Sequence, residues 1–248
     1  MISLRGLEIT LDRKKILTDV GFDSVPNGVV AIMGPSGCGK STLLKALMGI
    51  HKFDAGEMRF RDSIVQAVRW TKAQSYFSLV PQVPLLLPWR TIQQNVALAA
   101  TPATPADKAL VRANELLEVV GLSDALEQYP WQISQGMAAR ASLARTLMMS
   151  SQVLLLDEPF AAIDATTRFK LQSWLLETIS KLKIEAFIVT HDPREALILA
   201  DEIIILGERP ARIIKKLTCP DRNVRRSPGW LFGLEAGELE RQIRDSLQ

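Results

Sequence analysis

The sequence predicts an α/β fold: a parallel central sheet, an antiparallel β subdomain near the N-terminus and an inserted helical subdomain. Three observations carry this expectation. Strand-like runs crowd the first 60 residues, and the apolar period becomes helical from residue 91. Apolar runs at 153–156, 186–190 and 202–206 then restore a strand pattern interleaved with helices. Strands that alternate with helices are joined by crossovers, which makes the sheet parallel. The expected organisation is a first core part at 1–90, a helical part at 91–150, a second core part at 151–220 and an extension at 221–248.

In order along the chain, residues 4–11 and 21–25 read as early antiparallel strands. The turn Pro26-Asn27-Gly28 leads into VVAIM at Val29–Met33, a buried strand, and an apolar-periodic helix spans 43–49. Further strands are expected at 56–60 and 76–80, followed by the proline-marked PQVPLLLPWR at 81–90. Helical spacing then links Ile92, Val96 and Leu98, and next Ala106, Ala109, Leu110, Ala113, Leu116, Leu117 and Val120. The tail from Asp221, with Arg222, Arg225 and Arg226 beside Pro228 and Gly229, reads as a solvated surface segment.

At 248 residues and 47% hydrophobic content the chain can bury a sizeable core. Thirty basic residues against 27 acidic ones leave a net charge of +3, too even a balance to point to nucleic acid. Only two cysteines occur, Cys38 and Cys219, which argues against a disulfide framework and for a reducing, cytoplasmic setting. No run of about 18 apolar residues is present, and MISLRGLEITLDRKK lacks the apolar stretch of a secretion signal. The chain is therefore not expected to span a membrane by itself.

Between the VVAIM strand and the first helix lie Gly34, Pro35, Ser36, Gly37, Cys38, Gly39, Lys40, Ser41 and Thr42. This is the pattern of a loop whose backbone amides wrap a polyphosphate. Its glycines permit positive φ and close approach to oxygens, and the helix N-terminus behind adds partial positive charge. Lys40 would reach the β- and γ-phosphates, and the Ser41 hydroxyl would join a Mg²⁺ shell completed by water and phosphate. Thr42 would support the nucleotide from the helix start.

The run VLLLDEP at 153–159 delivers Asp157 and Glu158 to the carboxyl edge of the sheet, where ligands of open α/β sheets gather. One carboxylate, Asp157, would serve the metal; the other, Glu158, would polarise the water that attacks the γ-phosphate. His191, in IVTHDPREA at the end of the 186–190 strand, could hydrogen-bond the γ-phosphate and align that water.

In chain order the sequence thus carries the phosphate loop, Gln82 in LVPQ, a serine-glycine signature at 133–137, VLLLDEP, Asp164 in FAAID, and His191. On these residues it resembles the ATP-binding cassette (ABC) family over nearly its whole length. LLLPWRTIQQNVAL and LGERPARI are similar to import subunits of the nitrate, sulfonate, taurine and pyrimidine-precursor group of bacterial transporters. The resemblance implies a P-loop NTPase core, ATP and Mg²⁺ as ligands, and ATP hydrolysis coupled to transport. It implies that Gln82 senses Mg²⁺ and the γ-phosphate and that Asp164 lies at a dimer interface. Ser134, Gln135 and Gly136 would cap the γ-phosphate held by a second copy of the chain. Integral membrane permease subunits would meet residues 85–90, with a solute-binding protein engaged only indirectly and no nucleic acid. The implied location is peripheral, on the cytoplasmic face of the inner (plasma) membrane.

Two departures from the family pattern stand out. Gln135 occupies a signature position where glycine is usual, placing a side chain where close phosphate approach is expected. No aromatic residue occurs at 11–14, where the family stacks the adenine ring, so Leu11 or Arg13 would substitute by apolar or cationic contact. A soluble cassette ATPase acting on nucleic acid or ribosomes is the competing reading. It predicts paired cassettes, coiled-coil insertions or basic arms, none of which the sequence displays. A small-molecule kinase would leave Gln82, Ser134 and His191 without a common explanation.

Overall fold

A computed structural model describes residues 1–60, 63–65, 76–149, 151–225 and 229–247. The chain begins with β1 (Ile2–Leu11) and β2 (Lys14–Asp23), followed by β3 (Val29–Met33), α1 (Lys40–Leu47), β4 (Ala55–Phe60), β5 (Ser63–Val65) and β6 (Phe77–Val80). A helical stretch follows: α2 (Ile92–Ala97), α3 (Ala106–Val119) and α4 (Gln135–Leu147). Then come β7 (Val153–Asp157), α5 (Ala165–Leu182), β8 (Glu185–Val189), α6 (Pro193–Leu199), β9 (Glu202–Leu206) and β10 (Ile213–Thr218). Two helices, α7 (Arg222–Arg225) and α8 (Leu234–Leu247), complete the order.

Two sheets form. The first is antiparallel, in the order β2-β1-β4-β5; the second runs β10-β9-β3-β8-β7-β6, parallel except for β10 at its edge. The mixed α/β class and the antiparallel N-terminal sheet are as the sequence predicts. Strand β2 begins at Lys14 rather than at residue 21, because its neighbours Ile16 and Leu17 are both buried and Asp19 takes a positive φ of 50°. That irregularity breaks the two-residue period by which a strand is recognised. Strand β10 was not expected either: it lies at an edge, with IIKKLT mixing exposed and half-buried positions.

The central strands are apolar on both faces, as a sheet covered on both sides requires. Val30, Ile32, Leu155, Phe187, Val189 and Ile204 pack toward α1 and the first sheet. Their chain neighbours Ala31, Leu154, Leu156, Ile188 and Ile203 pack toward the helices α2–α6 and α8. Burying each of the Val, Leu, Ile and Phe side chains among them contributes about 1.5–3 kcal/mol. The strand ends that carry the site are thus held by two cores. The second of those cores also includes Ile92, Val96, Leu116, Leu117 and Ala141, so the helical stretch packs directly on the sheet.

The segment 81–90 has little regular structure of its own and is pinned from behind. Asn95, fully buried in α2, accepts from Leu87 N–H at 2.7 Å and donates to the carbonyls of Leu87, Arg90 and Thr91 at 3.0–3.1 Å. Arg145 of α4 donates to Leu85 O at 2.6 Å. Replacing Asn95 with alanine leaves Leu87 N–H without this acceptor, a loss of about 1–3 kcal/mol in stability. A urea denaturation midpoint equal to that of the parent would refute this role.

The tail corrects a sequence expectation. Arg222 is not a free surface charge: it pairs with Asp201, whose carboxylate also accepts Val29 N–H at 2.8 Å, and the pair is about four-fifths buried, at 20% and 21% exposure. Arg226 and Pro228 lie outside the described residues. Helix α8 docks on α6, burying Ala236 and Ile243, while Glu240 bonds Arg194 at 3.1 Å and Arg244 at 2.6 Å.

Candidate active site

The carboxyl ends of β3, β7 and β8 lie side by side, with Ile32 opposite Val189 and Val189 opposite Asp157. Everything that follows these ends is therefore gathered at one edge. After β3 the chain turns through Gly34, Gly37 and Gly39 at φ of 154°, 74° and 125°, and Lys40 opens α1. Gly39 is a glycine for two reasons: its φ disfavours any side chain, and a Cβ there would lie 2.8 Å from Leu17 Cδ2 and 2.9 Å from Ile16 Cγ2. Strand β2 of the first sheet thus backs the loop directly.

Lys40 curls back over its own loop, its Nζ donating to Gly34 O at 2.9 Å and Pro35 O at 2.8 Å. Ser36 and Gly37 are exposed, whereas Cys38 is buried, and burial pushes its thiol pKa up. The Ser41 hydroxyl donates to Asp157 Oδ1 at 3.0 Å, joining the phosphate loop to the end of β7. Burial raises the Asp157 carboxyl above its ordinary range, the neighbouring Glu158 charge adds to this, and Ser41, Lys45 and Lys40 oppose it.

Glu158 takes a left-handed φ of 49°, uncommon outside glycine, with its N–H donating to Val189 O at 3.0 Å. Its Oε2 accepts from Gln82 Nε2 at 3.3 Å and lies 3.6 Å from His191 Nδ1. Gln82 follows β6, Glu158 follows β7 and His191 follows β8, so three consecutive sheet neighbours meet at one carboxylate. Gln82 and His191 are exposed there, open to a ligand above the edge.

Ser134, Gln135 and Gly136 form a second group, at the start of α4. Ser134 is the N-cap of α4 and accepts Met137 N–H at 3.2 Å, while Gln135 is exposed in the first turn. A Cβ on Gly136 would lie 2.9 Å from Ala162 O, so glycine lets α4 sit against the segment leading to Asp164. Asp164 caps α5, accepting Thr167 N–H at 3.0 Å, and this bonding holds its carboxyl below the usual range. Gln135 and Ser142 line a cavity of about 350 Å³ together with Gln82, Glu158, Pro84 and Ala162, between α4 and the sheet edge. Ser134 and Asp164 each turn a side-chain oxygen onto their own helix.

Several participants escaped sequence reading. Arg209 donates to Gly37 O across 172 residues, and the GERP context gives no local sign of it. Asn95 and Arg145 hold the segment that carries Gln82, yet a single polar residue in a helix pattern does not announce a buried bonding role. Thr190 and Glu195 flank His191 and bond each other, a pairing that only the turn into α6 creates.

The donor set suits a hard cation: a hydroxyl and a buried carboxylate 3.0 Å apart are both oxygen ligands. Among the described residues, no group of three or more His, Cys, Asp and Glu side chains forms a metal cage. A cation here would keep most of its shell as water and phosphate oxygens, the coordination Mg²⁺ favours.

A family model described as ABC transporter matches residues 17–161. The aliphatic sulfonates import ATP-binding protein SsuB 1 of Xanthomonas axonopodis pv. citri is 38% identical over 219 residues, 86% of this chain and 85% of that protein. SsuB 2 of Pseudomonas syringae pv. tomato is 38% identical over 216 residues, 85% of this chain and 86% of that one. A solved dimeric bacterial ABC transporter cassette shares 26% identity at a TM-score of 0.81, covering 89% of this chain and 100% of its own. With the phosphate loop, the paired carboxylates and His191 on this fold, the chain belongs to the ABC transporter family, as one of its ATP-binding and ATP-hydrolysing subunits.

Proposed function

We propose that this chain is the ATPase of a bacterial importer, working as two copies that close around two ATP molecules and drive alternating access in membrane-spanning partners. The observation that carries the reading is the convergence of Gln82 and His191 on Glu158, beside the Ser41–Asp157 pair. In this reading the backbone of residues 34–42 cradles the phosphates, and Lys40 exchanges its bonds to Gly34 O and Pro35 O for phosphate oxygens. Ser41, Asp157 and Gln82 would hold Mg²⁺, which when bound would neutralise the charge that develops on the phosphoryl oxygens. Glu158 accepts the proton of the attacking water, and His191 fixes that water against the γ-phosphate.

Ser134, Gln135 and Gly136 act on the nucleotide of the second copy, with the exposed α4 N-terminus offering positive potential to a γ-phosphate. Asp164 stands at the same interface. Ser134 and Asp164 spend a side-chain oxygen on capping their own helices within one chain, which fits a role at the nucleotide that a partner completes. Because Gln135 is exposed, its side chain can swing off the helix axis as the phosphate approaches.

The segment 81–90 is the face for the membrane partner: Val83, Leu85 and Trp89 are 68%, 64% and 69% exposed, and Asn95 and Arg145 fix the backbone beneath them. Among the described residues no helix is long and apolar enough to cross a membrane, which fits peripheral attachment through such a face on the cytoplasmic side. The relatives named for aliphatic sulfonate import support an importer of small organic solutes; in this reading a solute-binding protein feeds the permease. Trp89→Asp is expected to abolish copurification with the permease subunit, and ATP-stimulated uptake in reconstituted vesicles, while soluble ATP hydrolysis continues. Copurification undiminished by that change would move the docking face elsewhere. A wild-type chain that stays monomeric with ATP and ignores the permease would overturn the transport reading.

A further inference from the structure

We infer that Thr190, Glu195 and Gln172 form a buried positioning device for His191, and that α5 couples this device to the segment bearing Asp164. The inference rests on the reading of His191 given above.

The three side chains lie on three elements, at the end of β8, in the first turn of α6 and midway along α5, and are 1%, 7% and 3% exposed. The Thr190 hydroxyl hydrogen-bonds Glu195 Oε2, and Gln172 Nε2 donates to Glu195 Oε1 at 3.1 Å. Thr190 Oγ1 also accepts Asp192 N–H at 3.1 Å, and Thr190 N–H donates to Ile32 O at 3.3 Å. Asp192 in turn caps α6, accepting Arg194 N–H at 2.9 Å and Glu195 N–H at 3.4 Å. His191 therefore sits between two residues whose backbones are tied down. Its own side chain is 69% exposed and is aimed at Glu158 by the turn rather than by packing.

A joint needed only for stability is made more cheaply with aliphatic side chains, because each buried polar group costs about 1–3 kcal/mol unless its bonds are made. Here the bonds are directional and tie the turn that carries His191 to β3, α5 and α6. Burial raises the Glu195 carboxyl above its ordinary range against the opposing hydrogen bonds from Thr190 and Gln172, with Asp192 adding to the rise and Arg168 opposing it. Directional bonding is what fixes an exposed side chain to the tolerance that a water-aligning group needs.

The link to Asp164 runs along α5. Arg168, one turn in from the Asp164 cap, donates through Nη2 to Ile163 O at 2.8 Å, and its Nη1 lies 3.9 Å from Asp192 Oδ2. Gln172 is one further turn along the same helix and reaches Glu195. The first turns of α5 therefore contact both the segment preceding Asp164 and the turn holding His191, and a shift of that helix end moves both.

The test is a double-mutant cycle on the intact chain with ATP and Mg²⁺. Thr190→Val and Glu195→Ala are each expected to lower kcat by about tenfold, with KM for ATP and affinity for a fluorescent ATP analogue unchanged. Glu195→Gln, which keeps the shape and one acceptor, recovers part of that loss. In a His191→Ala background the same changes alter the residual kcat by less than about twofold, because they act through a side chain already removed. Equal losses in both backgrounds, or a rise in KM without a fall in kcat, would overturn the inference. Thr190→Val is the near-isosteric check should Glu195→Ala fold poorly. A His191→Ala protein hydrolysing at the parental rate would instead remove the reading of His191 itself.

Discussion

Glu158→Gln lowers steady-state ATP hydrolysis by about 10²–10⁴-fold, the loss expected when a general base is removed from a proton transfer. Nucleotide affinity stays at the parental level, because the phosphate loop, Lys40 and the Ser41–Asp157 pair do not depend on Glu158 for their bonds. The amide also keeps the length and shape of the carboxylate, so Gln82 and His191 retain a partner at the same place. With ATP bound and not turned over, two copies remain closed, and light scattering on a sizing column should show a dimer with ATP and a monomer with ADP. A variant that hydrolyses ATP at the parental rate would sink the assignment of Glu158. One that is inactive but never dimerises would leave Glu158 in place and remove the two-copy site.

Asp157→Asn is expected to abolish hydrolysis and, at neutral pH, to raise the melting temperature of the nucleotide-free protein. The folded chain raises the carboxyl pKa, chiefly by burial, so in the window between the unfolded and folded pKa values the native state binds more protons. Stability therefore falls as pH rises through that window and stays lower above it. At neutral pH the ionised Asp157 subtracts from stability, and the neutral isostere, whose oxygen still accepts from Ser41, removes that cost. The difference in melting temperature should shrink as the pH is lowered into the ordinary carboxylate range, where the native acid is itself neutral. Thermal melts of both proteins across pH check the sign, and a variant that melts lower at pH 7 would refute it. The stabilisation that MgATP gives the parent should be smaller in the variant, because the ionised ligand is gone.

Much of this was legible in the residues. The strands at Val29–Met33 and Glu202–Leu206 fall at the expected bounds, because a strand buried on both faces is a continuous apolar run with sharp ends. The strand start at Lys14 and the edge strand β10 were not legible: each mixes polar and apolar positions, and Asp19 breaks the period. Helix α8 was not legible: five of the eleven residues of GELERQIRDSL are charged, and the helix buries Ala236 and Ile243 with Leu239 and Leu247 half-buried against the core. At the site, Lys40, Ser41, Asp157, Glu158 and His191 announced themselves by local context: a strand end followed by a glycine loop, a carboxylate pair or a histidine.

What the sequence determined by itself was the chemistry available: a loop built to take phosphates, two carboxylates at a sheet edge, and the family that combines them. The reason is physical, since glycines, a lysine and a hydroxyl at a strand-to-helix turn act through backbone geometry confined to a few residues. What only the tertiary structure decided was who meets whom. Glu158 gains Gln82 and His191 because β6, β7 and β8 are neighbours in the sheet, an order that the chain's numbering does not reveal. Arg209 reaches Gly37, and Gln172 reaches Glu195, through packing between distant elements. Such contacts arise from the burial of two cores, whose pattern of apolar positions specifies strands and helices but not which polar side chains they bring within hydrogen-bonding reach.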